Sequence, residues 1–491
     1  MLTSSSVIHR NIDGLLFQAP KPLPSRSLLK SRNQIMTIDA KTITRRAALG
    51  LLAAGAGGYA AFGPERRRLQ SGGRVVLDYW EKWTGHEAAA MKVVVDRFNE
   101  SQGRIFVNYL TMGGIDQKAK VAIAAGDPPD VLGLWNRNLP FFSQCGAIMP
   151  LDQLKDYGIT ESSYAKAVGP LVFRGGRQLA APSTPSSIAL YYNRKIFEEV
   201  GLDPDSPPRT IEEFDVAIDR LTILDPDGNV ERAGFLPTDP GWWSWCWGGF
   251  FGGHLYDEKT GLATVDAPQN IAGYDWYQSF PKRWGLDKLR RFQGAPIDNP
   301  SPYRNFFSGR LATTIQGPWL PMFMDQELGP GNFDYGACPF PVPAALADQP
   351  PYGPIEADIL VVPAGAKNPD ASMEFIAFTQ RTENMETLCT GHAKPSPLSS
   401  SSEAFVRNHP NRAVAVHEEI LQSPNAYTTP WITGWAEFGM ALGAGLDQIW
   451  NLKSPSAAAP LAEVQLEASE ILQREADRRR RRGQPDPWEK A

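Results

Sequence analysis

Tryptophan side chains crowd one short stretch of this 491-residue sequence. Four of its 14 tryptophans stand there, at Trp242, Trp243, Trp245 and Trp247, among glycines and two phenylalanines. Neither a helical period nor strand alternation fits the stretch. An indole ring stacks on the apolar C–H face of a sugar, and its N–H still donates a hydrogen bond. The stretch favours a cleft wall built from the first three of these tryptophans; the alternative is that the rings only fill the core where a helix meets a loop.

Motifs for metal binding or covalent catalysis are missing from the sequence. The six histidines form no HxH or HxxxH pair, and the four cysteines form no CxxC pair. A zinc site is therefore not expected, and neither is any other metal or cofactor. The cysteines Cys145, Cys246, Cys338 and Cys389 are compatible with free thiols or with one or two disulfides.

A carbohydrate-active enzyme is the alternative that the aromatic residues leave open. Hydrolysis of a glycosidic bond needs two carboxyl groups about 5–10 Å apart across a cleft. Glu81 and Glu356 are the only candidates that fall at the expected rim, and no nucleophile–base motif accompanies them. Capture of a ligand without chemistry is therefore the favoured function, and no enzymatic activity is expected.

The composition describes a soluble protein with more than one core. Hydrophobic residues make up 42% and charged residues 21% of the chain, which is ordinary for soluble proteins. A single core rarely extends over so long a chain, so two lobes are expected. The net charge of −5 gives no general attraction to nucleic acid.

The N-terminal segment has the pattern of an export signal. Residues 36–63 place Arg45-Arg46 before a run rich in alanine and glycine, which resembles a bacterial twin-arginine signal. Residues 1–35 are expected to be disordered or a misassigned start, with Met36 as the true initiator. Residues 64–73 form a linker. The mature protein is therefore expected in the periplasm or outside the cell, and an uncleaved signal would tether it to the membrane.

The first part of the folded chain alternates strand and helix. Strands are predicted at 74–80, 105–110 and 130–134, with helices at 87–101 and 116–125. This alternation implies a parallel sheet with right-handed crossovers. Ligands of open parallel sheets bind beyond the carboxyl ends of the strands. That rule puts four residues on one rim of a cleft: Trp83, Thr84, Trp135 and Asn136.

Several segments together resemble the extracellular solute-binding proteins of bacterial ABC importers. The resemblance is to the sugar-binding family that includes maltodextrin- and glycerol-phosphate-binding proteins, and it covers roughly residues 74 to 475. Its carriers are Tyr79-Trp-Glu-Lys-Trp-Thr-Gly-His86, Gly126-Asp-Pro-Pro-Asp-Val131, Leu190-Tyr-Tyr-Asn193, Phe251-Gly-Gly-His-Leu-Tyr256 and Phe307-Ser-Gly-Arg-Leu-Ala-Thr-Thr314 with Gly317-Pro-Trp319.

This resemblance implies the fold class and the partners. The fold is then the α/β, two-lobed periplasmic binding protein fold of type II, each lobe a mostly parallel sheet flanked by helices, with a hinge between them. Chain crossings are placed near 182–186, 340–352 and 394–404. The N-terminal lobe takes 74–183 plus 350–400, the C-terminal lobe takes 184–349 plus 401–480, and 481–491 form a tail. The implied partners of a monomeric protein are a carbohydrate and an ABC permease with its cytoplasmic ATPase.

The resemblance also assigns ligand contacts by position. Trp135 matches an aromatic or polar ligand contact. Aromatic stacking falls to Trp242, Trp243, Trp245 and Trp319, with Trp431 or Trp435 as a further stacking residue, and hydrogen bonding falls to Asn136 and Ser186. Glu356 departs from the family pattern, where glycine or another small residue is usual; it binds a hydroxyl pair or a cation, or faces solvent. Many rings and few cations in these segments favour a neutral saccharide over a phosphate ester.

Overall fold

The strands and helices are described here for residues 73–295 and 301–481 of a computed structural model, all within the compact unit Gln70–Ala491. The strands are β1 (Val75–Glu81), β2 (Ile105–Thr111), β3 (Val131–Trp135), β4 (Ile148–Met149), β5 (Phe173–Arg174), β6 (Arg177–Gln178), β7 (Ala181–Ser187), β8 (Ala189–Asn193), β9 (Ile223–Leu224), β10 (Val230–Arg232), β11 (Tyr256–Asp257), β12 (Leu262–Ala263), β13 (Thr313–Gln316), β14 (Tyr335–Cys338), β15 (Gly353–Pro363) and β16 (Ala426–Tyr427). The predictions made for residues 1–72, an export signal followed by a linker, and for the tail from 482 concern segments outside the described residues.

Helices connect and cover these strands. The α-helices are Gly85–Ser101, Ile115–Ala124, Leu139–Gln144, Gly169–Val172, Arg194–Glu199, Ile211–Leu221, Trp247–Phe250, Pro268–Trp284, Leu286–Gly294, Arg304–Phe307, Leu320–Leu328, Pro369–Thr379, Thr382–His392, Glu403–Asn408, Val414–Gln422, Trp435–Trp450 and Ala458–Arg481. None of those in the described ranges is long and apolar enough to cross a membrane.

The first sheet confirms the parallel arrangement predicted from the strand–helix alternation. Strand β1 pairs in parallel with β2 on one side and with β3 on the other. The long strand β15 then adds antiparallel to β3, and β7, β4 and β16 pair with β15. Since β1 and β3 run in the same direction, the residues that follow them meet at one edge of the sheet.

The second sheet is antiparallel, where a mostly parallel sheet was expected. Strand β8 lies between β13 and β14 and pairs antiparallel with both. The helix Leu320–Leu328 connects β13 to β14. A helical crossover joins strands that run in the same direction, so β13 and β14 are parallel to each other and β8 is inserted between them. The chain passes from the first sheet to the second at Ile188, between β7 and β8.

Apolar side chains of the described residues form three clusters around the two sheets. One cluster packs β1 and β15 against the helices Gly85–Ser101 and Pro369–Thr379. Another lies against one face of β8 and contains Trp247, which is fully buried. The third joins Ile359 of the first sheet to Tyr191 and Tyr335 of the second, so the interiors of the two sheets are continuous.

Local sequence signals agree with the helix and turn positions. The Thr210 hydroxyl accepts from the backbone N–H of Glu213, whose carboxylate accepts from the backbone of Thr210, so the predicted capping box is confirmed. Asp225 begins the turn between β9 and β10, as expected of a plain turn. All four cysteines have free thiols.

Candidate functional site

A buried charged group occupies the edge of the first sheet where β1 and β3 end. The Asp358 carboxylate lies on β15 opposite Trp135. Its Oδ1 is 3.0 Å from the Lys82 Nζ, and its Oδ2 is 2.9 Å from the Lys394 Nζ. All three side chains are at most 7% exposed. A carboxylate between two ammonium groups satisfies the requirement that buried charges be paired.

Each lysine has further partners. Lys82 donates to Oε1 of Glu81 and to the backbone carbonyl of Leu134, both at 3.1 Å. Lys394 lies 3.4 Å from the carboxylate of Glu87 and 3.4 Å from the hydroxyl of Thr184. We name the five charged residues Lys82, Lys394, Asp358, Glu81 and Glu87 the charged floor.

The pKa shifts follow from this geometry. Burial by itself would raise the pKa of Asp358, but Lys394 and Lys82 outweigh burial and hold that pKa below its usual value. Burial likewise lowers the pKa of Lys394, yet Asp358 and Glu87 reverse the direction and raise it. Asp358 and Lys394 are therefore both ionised at neutral pH.

Tryptophan rings lie against the charged floor. The Lys82 ammonium is 4.7 Å from the ring centroid of Trp83 and 5.2 Å from that of Trp135. Such contacts are attractive because the face of an indole ring is negative. Trp83 is only 5% exposed and also makes an edge contact with His392. Trp83 therefore packs beneath the charged floor, against Lys82 and His392. Its role as a stacking surface for a ligand stays a prediction.

A second set of rings approaches from the other sheet. Trp319 follows β13, and its ring centroid is 6.0 Å from the Lys394 Nζ. Trp243 lies 6.1 Å from Trp319, and Trp242 lies 5.5 Å from Trp243 between ring centroids. We name these three residues the aromatic wall. Trp242 is 47% exposed while Trp243 is 6% exposed, so the wall runs from the interior to solvent.

Gly317 allows Trp319 to take its position. A Cβ added to Gly317 would come within 2.3 Å of the Trp319 ring, closer than any real contact. The ring therefore folds back over the Gly317 backbone, and a larger residue at this point would displace it. The sequence Gly317-Pro318-Trp319 accordingly serves to place one indole beside Lys394.

Polar residues at the rim are tied to one another. The Arg137 guanidinium is 3.4 Å from Glu356 and lies 4.5 Å over the ring of Trp135. Burial raises the pKa of Glu356, and Arg137 opposes that rise. Glu356 also faces Ser186 across the β15–β7 pairing. Glu356 is therefore paired with an arginine of the protein, and its binding of a hydroxyl pair or a cation of a ligand stays a prediction.

Asn136 and Thr84 occupy different environments at the same edge. Asn136 is buried, and its carbonyl oxygen accepts from the backbone N–H of Ala357 at 3.0 Å. Its amide nitrogen donates to the Thr428 hydroxyl at 3.2 Å. Thr84 is exposed and precedes the helix Gly85–Ser101. A hydrogen bond from either residue to a ligand stays a prediction.

The other three predicted tryptophans have no ring contact with the aromatic wall within the described residues, although Trp431 lines a cavity with Asn136 and Arg137. Trp245 makes edge contacts with Tyr427 and Trp435, at 5.9 and 6.3 Å between centroids. It lines a groove of about 720 Å³ along β16. Trp431 lies beneath the guanidinium of Arg174, in a neighbouring cavity of about 200 Å³. Trp245, Trp431 and Trp435 therefore do not share ring contacts with the aromatic wall, and a role for them with a ligand stays a prediction.

Glu81 does not lie on the rim, where it was expected as one of two carboxylates. It is fully buried, and its carboxylate accepts from the Tyr79 hydroxyl at 2.6 Å and from the backbone N–H of Lys82 at 2.7 Å. Side chains alternate between the two faces of a strand, and Glu81, the last residue of β1, lies on the same buried face as Leu77 and Tyr79. Burial raises its pKa, and Lys82 opposes the rise.

The sequence analysis missed Lys82, Asp358 and Lys394. The strand-end rule that selected Trp83 also applied to Lys82, the residue directly after β1. No comparable signal marked Asp358, inside an apolar strand, or Lys394, after the helix Thr382–His392. Residues 73–295 and 301–481 contain no group of three or more His, Cys, Asp or Glu side chains that could hold a metal ion.

Two sheets, with rings and paired charges at the strand ends, define a ligand-binding protein of the two-lobed type II periplasmic fold. The chain belongs to the family described as bacterial extracellular solute-binding proteins, whose family model matches residues 82–386.

Known relatives bind different small solutes. The maltotriose-binding protein of Pyrococcus abyssi is 23% identical over 64% of this chain and 64% of its own length, so the match spans about two thirds of that relative. The sn-glycerol-3-phosphate-binding periplasmic protein UgpB of Yersinia pseudotuberculosis is 30% identical over 78% of this chain and 89% of its own length. The solved structure of CpMnBP1 with mannobiose bound is similar in fold, with a TM-score of 0.66 and 24% identity over 80% of this chain and all of the other.

Proposed function

We propose that this protein captures a neutral saccharide between its two lobes and delivers it to an ABC importer. One observation carries the proposal: the aromatic wall, from segments around the second sheet, meets the charged floor of the first sheet where Trp319 approaches Lys394. Indole faces next to paired charges suit a ligand with apolar C–H faces and many hydroxyl groups.

The charges near the rings support a neutral ligand. Two ammonium groups in the charged floor face three carboxylates, at distances of 2.9 to 3.4 Å. A phosphate-binding site usually offers cations or backbone N–H groups that are free to bind the anion. The sequence was expected to place few cations near the rings, and Lys82, Lys394 and Arg137 lie there. Each of these cations is paired with a carboxylate of the protein, which supports a neutral ligand.

Titration calorimetry on the purified full chain tests the proposal. Maltotriose and mannobiose are titrated beside sn-glycerol 3-phosphate, the three ligand chemistries that the relatives suggest. We expect heat from at least one saccharide and none from the phosphate ester. Tight binding of sn-glycerol 3-phosphate with no response to either saccharide would replace this proposal with the glycerol-phosphate alternative.

Capture without chemistry is part of the proposal. The family of this chain is described as solute-binding proteins. Hydrolysis would need two carboxylates at the rim, and Glu81, one of the two candidates, is buried instead. A saccharide incubated with the protein should therefore be recovered unchanged by chromatography. Release of a shorter product would favour the enzyme instead.

The cellular setting is proposed from the N-terminal sequence and the family. The twin-arginine signal at 36–63 exports the protein, which then works as a monomer in the periplasm or outside the cell. An ABC permease, driven by its cytoplasmic ATPase, receives the ligand from the closed form. The lobe boundaries 74–183 plus 350–400 and 184–349 plus 401–480 stay a prediction, although β7 continues in the first sheet to Ser187 and β16 also belongs to that sheet. The bend is proposed where the chain crosses between the lobes.

A further inference from the structure

Each lysine of the charged floor has three acceptor groups of the protein within 3.4 Å of its ammonium nitrogen. An ammonium group has three N–H donors. Lys82 donates to Glu81 and to the carbonyl of Leu134, and it forms an ion pair with Asp358. Lys394 donates to Asp358 and Thr184, and it forms an ion pair with Glu87.

The charged floor has no excess of positive charge. Its three carboxyl groups outnumber its two ammonium groups by one. Burial raises the pKa of Glu81, while Lys82 and the Tyr79 hydroxyl oppose the rise. His392 beside Glu87 adds no positive charge, since burial lowers its pKa to about 3.

We propose that Asp358 is the residue that selects for ligand charge: by occupying both lysines at once it makes the site reject phosphate esters and other anions. The inference rests on the proposed capture of a ligand against the aromatic wall, and it adds the determinant of ligand class. Asp358 is the only floor residue that contacts both ammonium groups within the described residues. It acts on a ligand through its charge and need not touch it.

The expected size of the effect follows from Coulomb's law. Two unit charges about 7 Å apart, with an effective dielectric constant of about 20, interact strongly enough to change an affinity by more than about tenfold. Asp358→Asn also replaces one of the two acceptor oxygens by an NH2 donor, so one of the two lysines loses its partner. Both consequences favour an anion, while a neutral saccharide gains from neither.

The principal test is the Asp358→Asn variant, which keeps the shape of the side chain. Binding of sn-glycerol 3-phosphate and of the saccharide that the wild type binds is measured for both proteins by calorimetry at low salt. We expect the ratio of phosphate-ester affinity to saccharide affinity to rise at least about tenfold in the variant. The rise should shrink at high salt, since salt screens the charges.

A second variant covers the possibility that Asp358→Asn fails to fold. Glu87→Gln removes one carboxylate from Lys394 at a side chain that is 27% exposed. The affinity ratio should rise in the same direction, by less. Glu374→Gln is the matched control: its carboxylate is 28% exposed and paired with Arg104, which precedes β2 at the opposite edge of the sheet. That control should leave the ratio unchanged.

The outcomes separate this inference from the proposed function. If the wild type binds a saccharide but neither folded variant changes the affinity ratio, Asp358 does not select for charge and the proposed function stands. An equal change in the Glu374→Gln control would attribute the effect to overall charge and overturn the inference. If the wild type binds no saccharide, the proposed function itself fails.

Discussion

Trp319 is the residue at which the two halves of the candidate site meet. Its ring lies over Gly317, stands next to Trp243 and comes within 6.0 Å of the Lys394 ammonium. Within the described residues, no other member of the aromatic wall contacts a lysine of the charged floor. A ligand that stacks on the wall therefore depends on this indole more than on the others.

Replacing Trp319 with alanine should weaken saccharide binding by roughly 1–3 kcal/mol, the usual loss for a well-packed contact residue. Calorimetry with the saccharide that the wild type binds provides the measurement. Trp450→Ala is a suitable control, because Trp450 is also half-buried and packs against an aromatic ring, that of Tyr277. Wild-type affinity in the Trp319 variant, or an equal loss in the control, would contradict the assignment.

At the scale of the elements, one buried histidine fixes the segment where the chain changes sheets. His417, on the helix Val414–Gln422, is fully buried. Its Nδ1 lies 3.0 Å from the carbonyl oxygen of Ser187, and its Nε2 lies 2.7 Å from the hydroxyl of Tyr191. The Nδ1–H therefore donates to the end of β7, while Nε2 accepts from β8. Burial lowers the pKa of His417 to about 3.

Stability should fall as the pH drops below about 6.5. Between that pH and the folded-state pKa of about 3, the unfolded chain binds a proton at His417 that the folded chain excludes. The free energy of unfolding then decreases by about 1.4 kcal/mol per pH unit for such a group. Urea unfolding at pH 7.5 and 5.0 measures the slope, which His417→Gln should reduce. An unchanged slope in that variant would show that His417 is not the group responsible.

At the scale of the whole molecule, the type II fold implies that a ligand closes the lobes. Such proteins bend at a few residues between rigid lobes. The closed form binds the ligand and the unfolded chain does not, so the ligand stabilises the folded protein.

Saturating saccharide should decrease the radius of gyration in small-angle X-ray scattering. It should also raise the melting temperature, with a stabilisation of about 2.7 kcal/mol at 100 times the dissociation constant. Maltotriose and mannobiose are the ligands to use first. Thermal stabilisation without a change in the radius of gyration would support binding but contradict closure by hinge bending.

Export is also a property of the whole molecule, because the compartment that the protein reaches determines where it can bind a ligand. Substitution of the pair by lysine, R45K with R46K, should retain the protein in the cytoplasm, since twin-arginine export reads that pair. Cell fractionation measures the effect, and N-terminal sequencing shows whether the chain begins at Met36. Normal export of the variant would remove the basis for the twin-arginine assignment.

The sequence by itself determined those features that depend on neighbouring residues. The alternation of strands and helices predicted the parallel strands β1, β2 and β3, because periodicity and strand direction are local properties. The same rule selected the strand ends that carry Trp83 and Trp135. The density of indoles at Trp242 and Trp243 marked the aromatic wall.

Only the tertiary structure decided which of these residues come together. Asp358, Lys82 and Lys394 stand far apart in the chain and join because β15 adds antiparallel to β3, a pairing that no local pattern encodes. Tertiary packing also separated Trp245 and Trp435 from the wall and put Glu81 inside the sheet. Side-chain type is fixed residue by residue, whereas burial and charge pairing depend on partners from distant segments, and those partners are known only once the chain has folded.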